Sequence, residues 1–220
     1  MRDAYHEELD ALTEQLVEMT RLVNSAISRA SRALLDADLT LAESVIAADD
    51  AVNALRDDLD ERALDLLARQ QPVASDLRTI VTSLRMSADL ERMGDLARHV
   101  ARVARRRYPE SAIPAPLRGT VVEMSQVAER LVAKAGSVIA SQDLEAALEL
   151  DSDDDEMDRL HRALFTALLE PASAHGVEAA IDVSQVGRFY ERFADHAVSV
   201  AGRVVFLVTG SRAEHLTPSP

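Results

Sequence analysis

Cysteine and tryptophan are absent from this 220-residue chain, and aromatic side chains make up only 3% of it. Without cysteine there is no disulfide framework, no thiolate nucleophile and no cysteine-ligated zinc, which suits a reducing compartment. Long apolar runs are missing too. The longest strongly apolar stretch, "VVFLV" at Val204 to Val208, is far short of the roughly 20 residues that cross a bilayer. The first residues, "MRDAYHEELDALTEQ", carry charges in place of an apolar core and do not read as a signal peptide. Positive charge is scarce: a formal net charge of −14 argues against general affinity for phosphate backbones and favours cations or basic partners. The expectation is a soluble cytoplasmic protein that does not bind nucleic acid. Glycine and proline number seven each, while good helix formers dominate. With 47% hydrophobic and 28% charged residues, a globular all-α fold with a real core is the first reading.

Periodicity places the helices. Leu9, Leu12, Leu16, Met19, Val23, Ala26, Ala30 and Leu34 alternate spacings of three and four, the mark of a helix with one buried stripe, here over about residues 4 to 36. A second stripe, Leu41, Val45, Ala48, Val52, Leu55, Leu59 and Leu66, ends at Pro72, which cannot continue a helix. Ser75 reads as the N-cap of a third helix, whose stripe Met86, Leu90, Met93, Ala97, Val100 and Ala104 runs to about Arg107. Three prolines in "YPESAIPAP" then mark a linker at residues 108–116. The basic cluster Arg98, Arg102, Arg105, Arg106 and Arg107 fits the negative end of a helix dipole, or else an anionic membrane surface or acidic partner.

After the linker the pattern restarts. Leu117, Val121, Met124, Ala128, Leu131, Ala135 and Val138 match Leu12, Leu16, Met19, Val23, Ala26, Ala30 and Ala33 at a constant offset of 105. "DLTLA" at 38 answers "DLEAA" at 143 in the same register, and the third helices align at an offset of 100. Such self-similarity predicts a tandem duplication. Residues 1–107 and 117–210 each form an antiparallel three-helix bundle, with helices of about 30 residues reaching roughly 45 Å. Residues 211–220 lack periodicity and are expected to be disordered.

Both copies stack like charges. "LERMGD" and "YERFAD" place Glu91 and Asp95, then Glu191 and Asp195, one helical turn apart and roughly opposite the apolar stripe. Like charges at this spacing cost a helix a few tenths of a kcal/mol. A single pair of this kind is usually a solvated face, with Arg92 and Arg98 to offset the first one. A duplicated pair is harder to dismiss. The second helices add Asp49 and Asn53, then Asp154 and Asp158, at the same i, i+4 step. Oxygen donors on two helices suit hard cations or iron more than a structural zinc, so each bundle is expected to hold a metal site, with iron, manganese, zinc and magnesium as candidates. A core di-iron oxidase is disfavoured: its nearest motif, Asp158-x-x-His161, has Arg56 at the repeat position of the histidine. His99 and His196 read as ordinary helix residues. No phosphate-binding glycine loop or nucleophile triad occurs, so no catalytic residues are assigned.

Together "RQQPVASDLR" at 69–78, the two Glu-Arg-x-x-Asp motifs and "AADDAVNAL" in the second helix closely resemble PhoU, the phosphate-uptake regulator family, over about residues 5 to 210. The resemblance implies two pseudo-symmetric three-helix bundles, often dimeric, with acidic motifs able to hold multinuclear metal clusters. Here these fall on Asp49, Glu91 and Asp95, and on Asp154, Asp158, Glu191 and Asp195. It further implies a negative regulator of the phosphate-starvation response, peripheral at the inner membrane face. Its partners would be the phosphate ABC transporter ATPase and a PhoR-type sensor histidine kinase. Arg69, Asp76 and Arg78 are the expected partner contacts, since the second copy of that turn is eroded to "EPASAHGVEAA". Two departures stand out: Asn53 replaces an acid, and Ala194 replaces the glycine seen at Gly94. The competing classes are a carboxylate-cluster protein that stores or uses metal, and a helical scaffold without a ligand.

Overall fold

The apolar stripes become six long helices: α1 (Arg2–Asp36), α2 (Leu39–Gln70), α3 (Ala74–Arg107), α4 (Arg118–Ser141), α5 (Leu144–Leu169) and α6 (Gly176–Thr209), with a 3-10 turn at Ala115–Leu117. The computed structural model describes residues 2–169 and 176–211, and no strand occurs among them. The tail expected to be disordered lies, from residue 212 on, outside the described residues, as does the first half of the eroded turn.

Local chemistry explains the repeated Asp-Leu pair. Ala37 and Gln142 adopt left-handed backbone, at φ 51° and 53°, and each is followed by an aspartate that caps the next helix. Asp38 accepts from the Leu41 N–H at 2.9 Å, and Asp143 from the N–H groups of Glu145 and Ala146 at 3.0 and 3.1 Å. The α2–α3 turn differs from the expectation. Val73 is the N-cap there, with no side-chain bond. The helix begins before Ser75 because the Asp76 N–H already bonds the Val73 carbonyl at 3.2 Å. Ser75 Oγ instead donates to Asp76 at 3.3 Å.

Each trio α1–α2–α3 and α4–α5–α6 packs together, and the trios join through α1 against α4 and α3 against α6. Four helices are therefore interior and α2 and α5 flank them, around one continuous apolar core. Residues 108–116 are no loose tether, since Ala112 and Ile113 are buried in that core. Where α1 crosses α4, a Cβ on Gly136 would stand 2.5 Å from Thr20 Oγ1, so glycine is what allows this approach. The α2 stripe also needs correction: Ala48 is exposed and Asp49 takes its place on the buried face.

The α3–α6 seam is antiparallel and polar at intervals. Asp89, buried on α3, meets His196 Nδ1 at 3.1 Å, Ser199 Oγ at 3.2 Å and Arg203 Nε at 2.6 Å on α6. Halfway along, the rings of His99 and Phe189 stack at 5.3 Å. Further on, buried Asp182 accepts from Arg106 at 2.5 Å and from Arg107, which also reaches Glu178 at 2.8 Å. Two arginines of the basic cluster thus find their acidic partners within the chain, on α6.

Burial alone would raise the Asp89 carboxyl, but hydrogen bonds from His196 and Arg203 outweigh it and hold the group below its ordinary 3.8. A carboxylate lowered in the folded state stabilises fully above its unfolded value, and that contribution is lost as pH falls through the folded one. Asp89→Asn should therefore cost about 2 kcal/mol near neutral pH by leaving Arg203 and His196 without their acceptor. Urea denaturation across pH should show the gap to wild type closing below about pH 4.

Candidate carboxylate sites

The duplicated acids lie where the outer helix of each repeat meets the third helix, α2 against α3 and α5 against α6. Their surroundings differ sharply. In the first repeat, buried Asp49 receives Arg98 Nη1 at 2.5 Å, and Arg98 Nη2 bonds Asp95. Arg92 adds a contact to Asp95 at 3.2 Å, and Arg56 approaches Glu91 at 3.9 Å. Asn53 Nδ2 donates to Asp49 at 3.5 Å. Every acid of the first set has an arginine. Off the apolar stripe, Glu91 and Asp95 lie in the groove between α2 and α3 and not on open surface, with side chains 22% and 17% exposed. Burial raises Asp49 while Arg98 opposes the shift; burial and then the charge of Asp95 raise Glu91.

In the second repeat the cations are missing from the interior. Asp154 Oδ1, Glu191 Oε2 and His161 Nε2 are buried without a hydrogen-bond partner. Glu191 Oε1 meets Arg188 at 2.5 Å and Asp158 meets Arg162 at 3.3 Å, but both arginines are mostly exposed. Burial, then the charges of Asp195 and Asp158, push the Asp154 carboxyl up to about 7. Burial and Asp195 also raise Glu191. His161 is lowered, first by burial and then by Arg188, so its neutral form is favoured. It packs edge-on against Phe165 at 4.9 Å, and a Cβ on Gly187 would stand 3.2 Å from its Cδ2.

The donor chemistry of the second set therefore fits a cation, with two orphaned carboxylate oxygens and a neutral imidazole in reach. The side chains are nonetheless turned apart: among the described residues no three His, Asp or Glu groups are gathered as metal ligands are. Asp195 is exposed and Asp158 is held by Arg162. Binding would need Asp195 to turn inward and Asp158 and Glu191 to leave surface ion pairs that are worth only about 0–1 kcal/mol each. The residues that sequence reading undervalued are Arg56, Arg98 and His161. Their signal lay in the departures between copies, where Arg98 faces Val198 and Arg56 faces His161.

Of the expected partner contacts, Arg69 is exposed and pairs with Asp65 at 2.7 Å. Asp76 is half-buried. Arg78 is turned back, because a Cβ on Gly210 at the end of α6 would stand 2.3 Å from its Nη1. The exposed side chains around this turn include Arg69, Val73 and Leu77, with Val73 74% exposed.

A model of the PhoU domain matches residues 16–104 and again residues 121–204. The chain belongs to the PhoU family. It is 51% identical over 211 residues to the phosphate-specific transport system accessory protein PhoU homolog 2 of Mycobacterium tuberculosis, covering 96% of this chain and 99% of that one. It is 50% identical over 214 residues to PhoU homolog 1 of Mycobacterium leprae, covering 97% and 96%. The crystal structure of PhoU from Pseudomonas aeruginosa superposes with a TM-score of 0.85 at 33% identity, covering 94% of this chain and all of that one. The PhoU fold, two tandem three-helix units, is thus the fold of this chain.

The contrast between repeats sets a test of the carboxylates as charges. A group raised in the folded state costs stability as pH climbs from its unfolded to its folded value. Asp154→Asn should therefore stabilise the metal-free chain by about 1 kcal/mol above pH ~7, a figure discounted for partial exposure, with the gain fading toward pH ~4. Thermal denaturation in chelator across that range measures it.

Proposed function

We propose that this chain is an accessory regulator of phosphate uptake that restrains the phosphate-starvation response when phosphate is plentiful, and is not an enzyme. It would act by linking the ATPase subunit of the phosphate ABC transporter to a PhoR-type sensor histidine kinase, as a homodimer lying against the inner membrane face. The observation that carries this reading is the near-complete match to relatives described as accessory proteins of phosphate-specific transport. The form of the molecule supports it. Six helices cross-pinned by buried ion pairs give long rigid faces, and acidic faces recognise basic partners through complementary potential. No helix among the described residues is long and apolar enough to cross a membrane.

Deleting the gene should switch on phosphate-scavenging genes in phosphate-rich medium, and the wild-type gene should restore repression. The α2–α3 turn is the proposed contact. Arg69→Glu with Val73→Asp changes two exposed side chains, one held by a surface ion pair to Asp65 and the other making no capping bond, so it should leave the helical fold intact and weaken repression at least several-fold. A stable double variant that represses fully would remove this turn from the interface.

A second reading, metal binding, is favoured by the orphaned Asp154 and Glu191 oxygens. Asp154, Asp158, Glu191 and Asp195 would hold the ion with His161 beside them, and a bound hard cation would supply charge neutralisation between α5 and α6. Glu191→Gln with Asp195→Asn should abolish most uptake of iron, manganese, zinc or magnesium while leaving circular dichroism unchanged. A wild-type chain, purified without chelator, that takes up none of these ions would end this reading.

A further inference from the structure

The duplication makes the two carboxylate sets comparable position by position. Asp49 answers Asp154, Glu91 answers Glu191 and Asp95 answers Asp195. What differs is what lies among them. In the first repeat Arg98 reaches in from α3 with its side chain 23% exposed, and bonds Asp49 on α2 and Asp95 on α3 through separate guanidinium nitrogens. Its counterpart is Val198, which has neither charge nor donor. Arg56, near Glu91, is likewise replaced by His161. Where those two cations are lost, carboxylate oxygens are left buried and unpaired; where they are present, only Arg98 Nε lacks a partner.

We propose that Arg98 is a built-in cation. Its guanidinium takes, between α2 and α3, the place that a divalent metal ion takes between α5 and α6, so that the chain binds metal in the second repeat alone. The inference rests on the metal reading of the second repeat. A guanidinium and a metal ion meet the same need here, because either supplies positive charge to carboxylates on two helices at once. The guanidinium is tethered, so an incoming ion competes with a donor that never diffuses away. It would also have to break bonds to Asp49, whose side chain is only 4% exposed, and leave a displaced arginine to find new partners. Asn53, where the second set has Asp158, removes one further anionic ligand from the first set.

Manganese(II) titration of the metal-stripped full chain, followed by calorimetry and by melting temperature, tests this. Wild type should bind at the second repeat only. Arg98→Val, which installs the side chain found at position 198, should melt lower than wild type in chelator. It should bind additional manganese at the first repeat and be stabilised by it, and Glu91→Gln in the same background should cancel the gain. Val198→Arg should lose the second-repeat ion. Should Arg98→Val fold poorly, Asn53→Asp with Arg56→His and Arg98→Val rebuilds the second repeat's set in the first and is read in the same way. A variant that gains neither bound manganese nor melting temperature overturns the proposal, as does a wild-type chain that loads both repeats. Wild type that binds no manganese defeats the metal reading of the second repeat. The Arg98→Val result then still decides the role of Arg98 separately.

Discussion

Each three-helix unit leaves an apolar face that the other unit covers, and the rest of the molecule follows from this. Buried residues such as Leu96 and Val103 on α3, and Val183 and Val204 on α6, belong to one core shared by both copies. Helices long enough to make that shared face also slide easily along it, since hydrophobic contact is non-directional. Register must come from elsewhere. It comes from Asp89 and Asp182, each buried on one side of the seam and bonded to basic side chains on the other. Buried ion pairs add little net stability but penalise every arrangement that separates them, which suits a seam between two long rods.

The same rule governs the carboxylates. A buried acid must meet a partner, change its protonation or bind a cation. Asp49 meets Arg98; Asp154, with no such partner, is shifted toward the protonated form. The repeats thus give two answers to one electrostatic problem inside nearly identical backbones. One copy is self-contained and the other is open to its surroundings. The first copy carries its own counter-cation in Arg98, and the second keeps buried carboxylate oxygens without a partner.

Much of the architecture was legible in the residue order. Alternating three and four spacings located the helices, Pro72 located the end of α2, and the constant offsets exposed the duplication. These features are local, or repeat in register, and so survive in one dimension. The α2 stripe was misread at Ala48 and Asp49 because hydrophobic periodicity assumes that charge points outward, and it cannot register an arginine arriving from another helix. Ser75 was misread as a cap because capping depends on where the chain leaves the preceding turn, which Pro72 and Val73 decided.

By itself, then, the sequence determined an all-helical, duplicated chain of the PhoU family and named the acids worth examining, since periodicity, capping and motif spacing are properties of neighbours along the chain. The tertiary structure alone decided that the two bundles share a core, that three of the five arginines of the basic cluster pair with acids of this same chain, and that Arg98 closes one carboxylate set while the other keeps unpaired oxygens. Charge compensation acts through space over a few ångströms. Arg98 lies 49 positions from Asp49 in the chain and in direct contact with it in the fold.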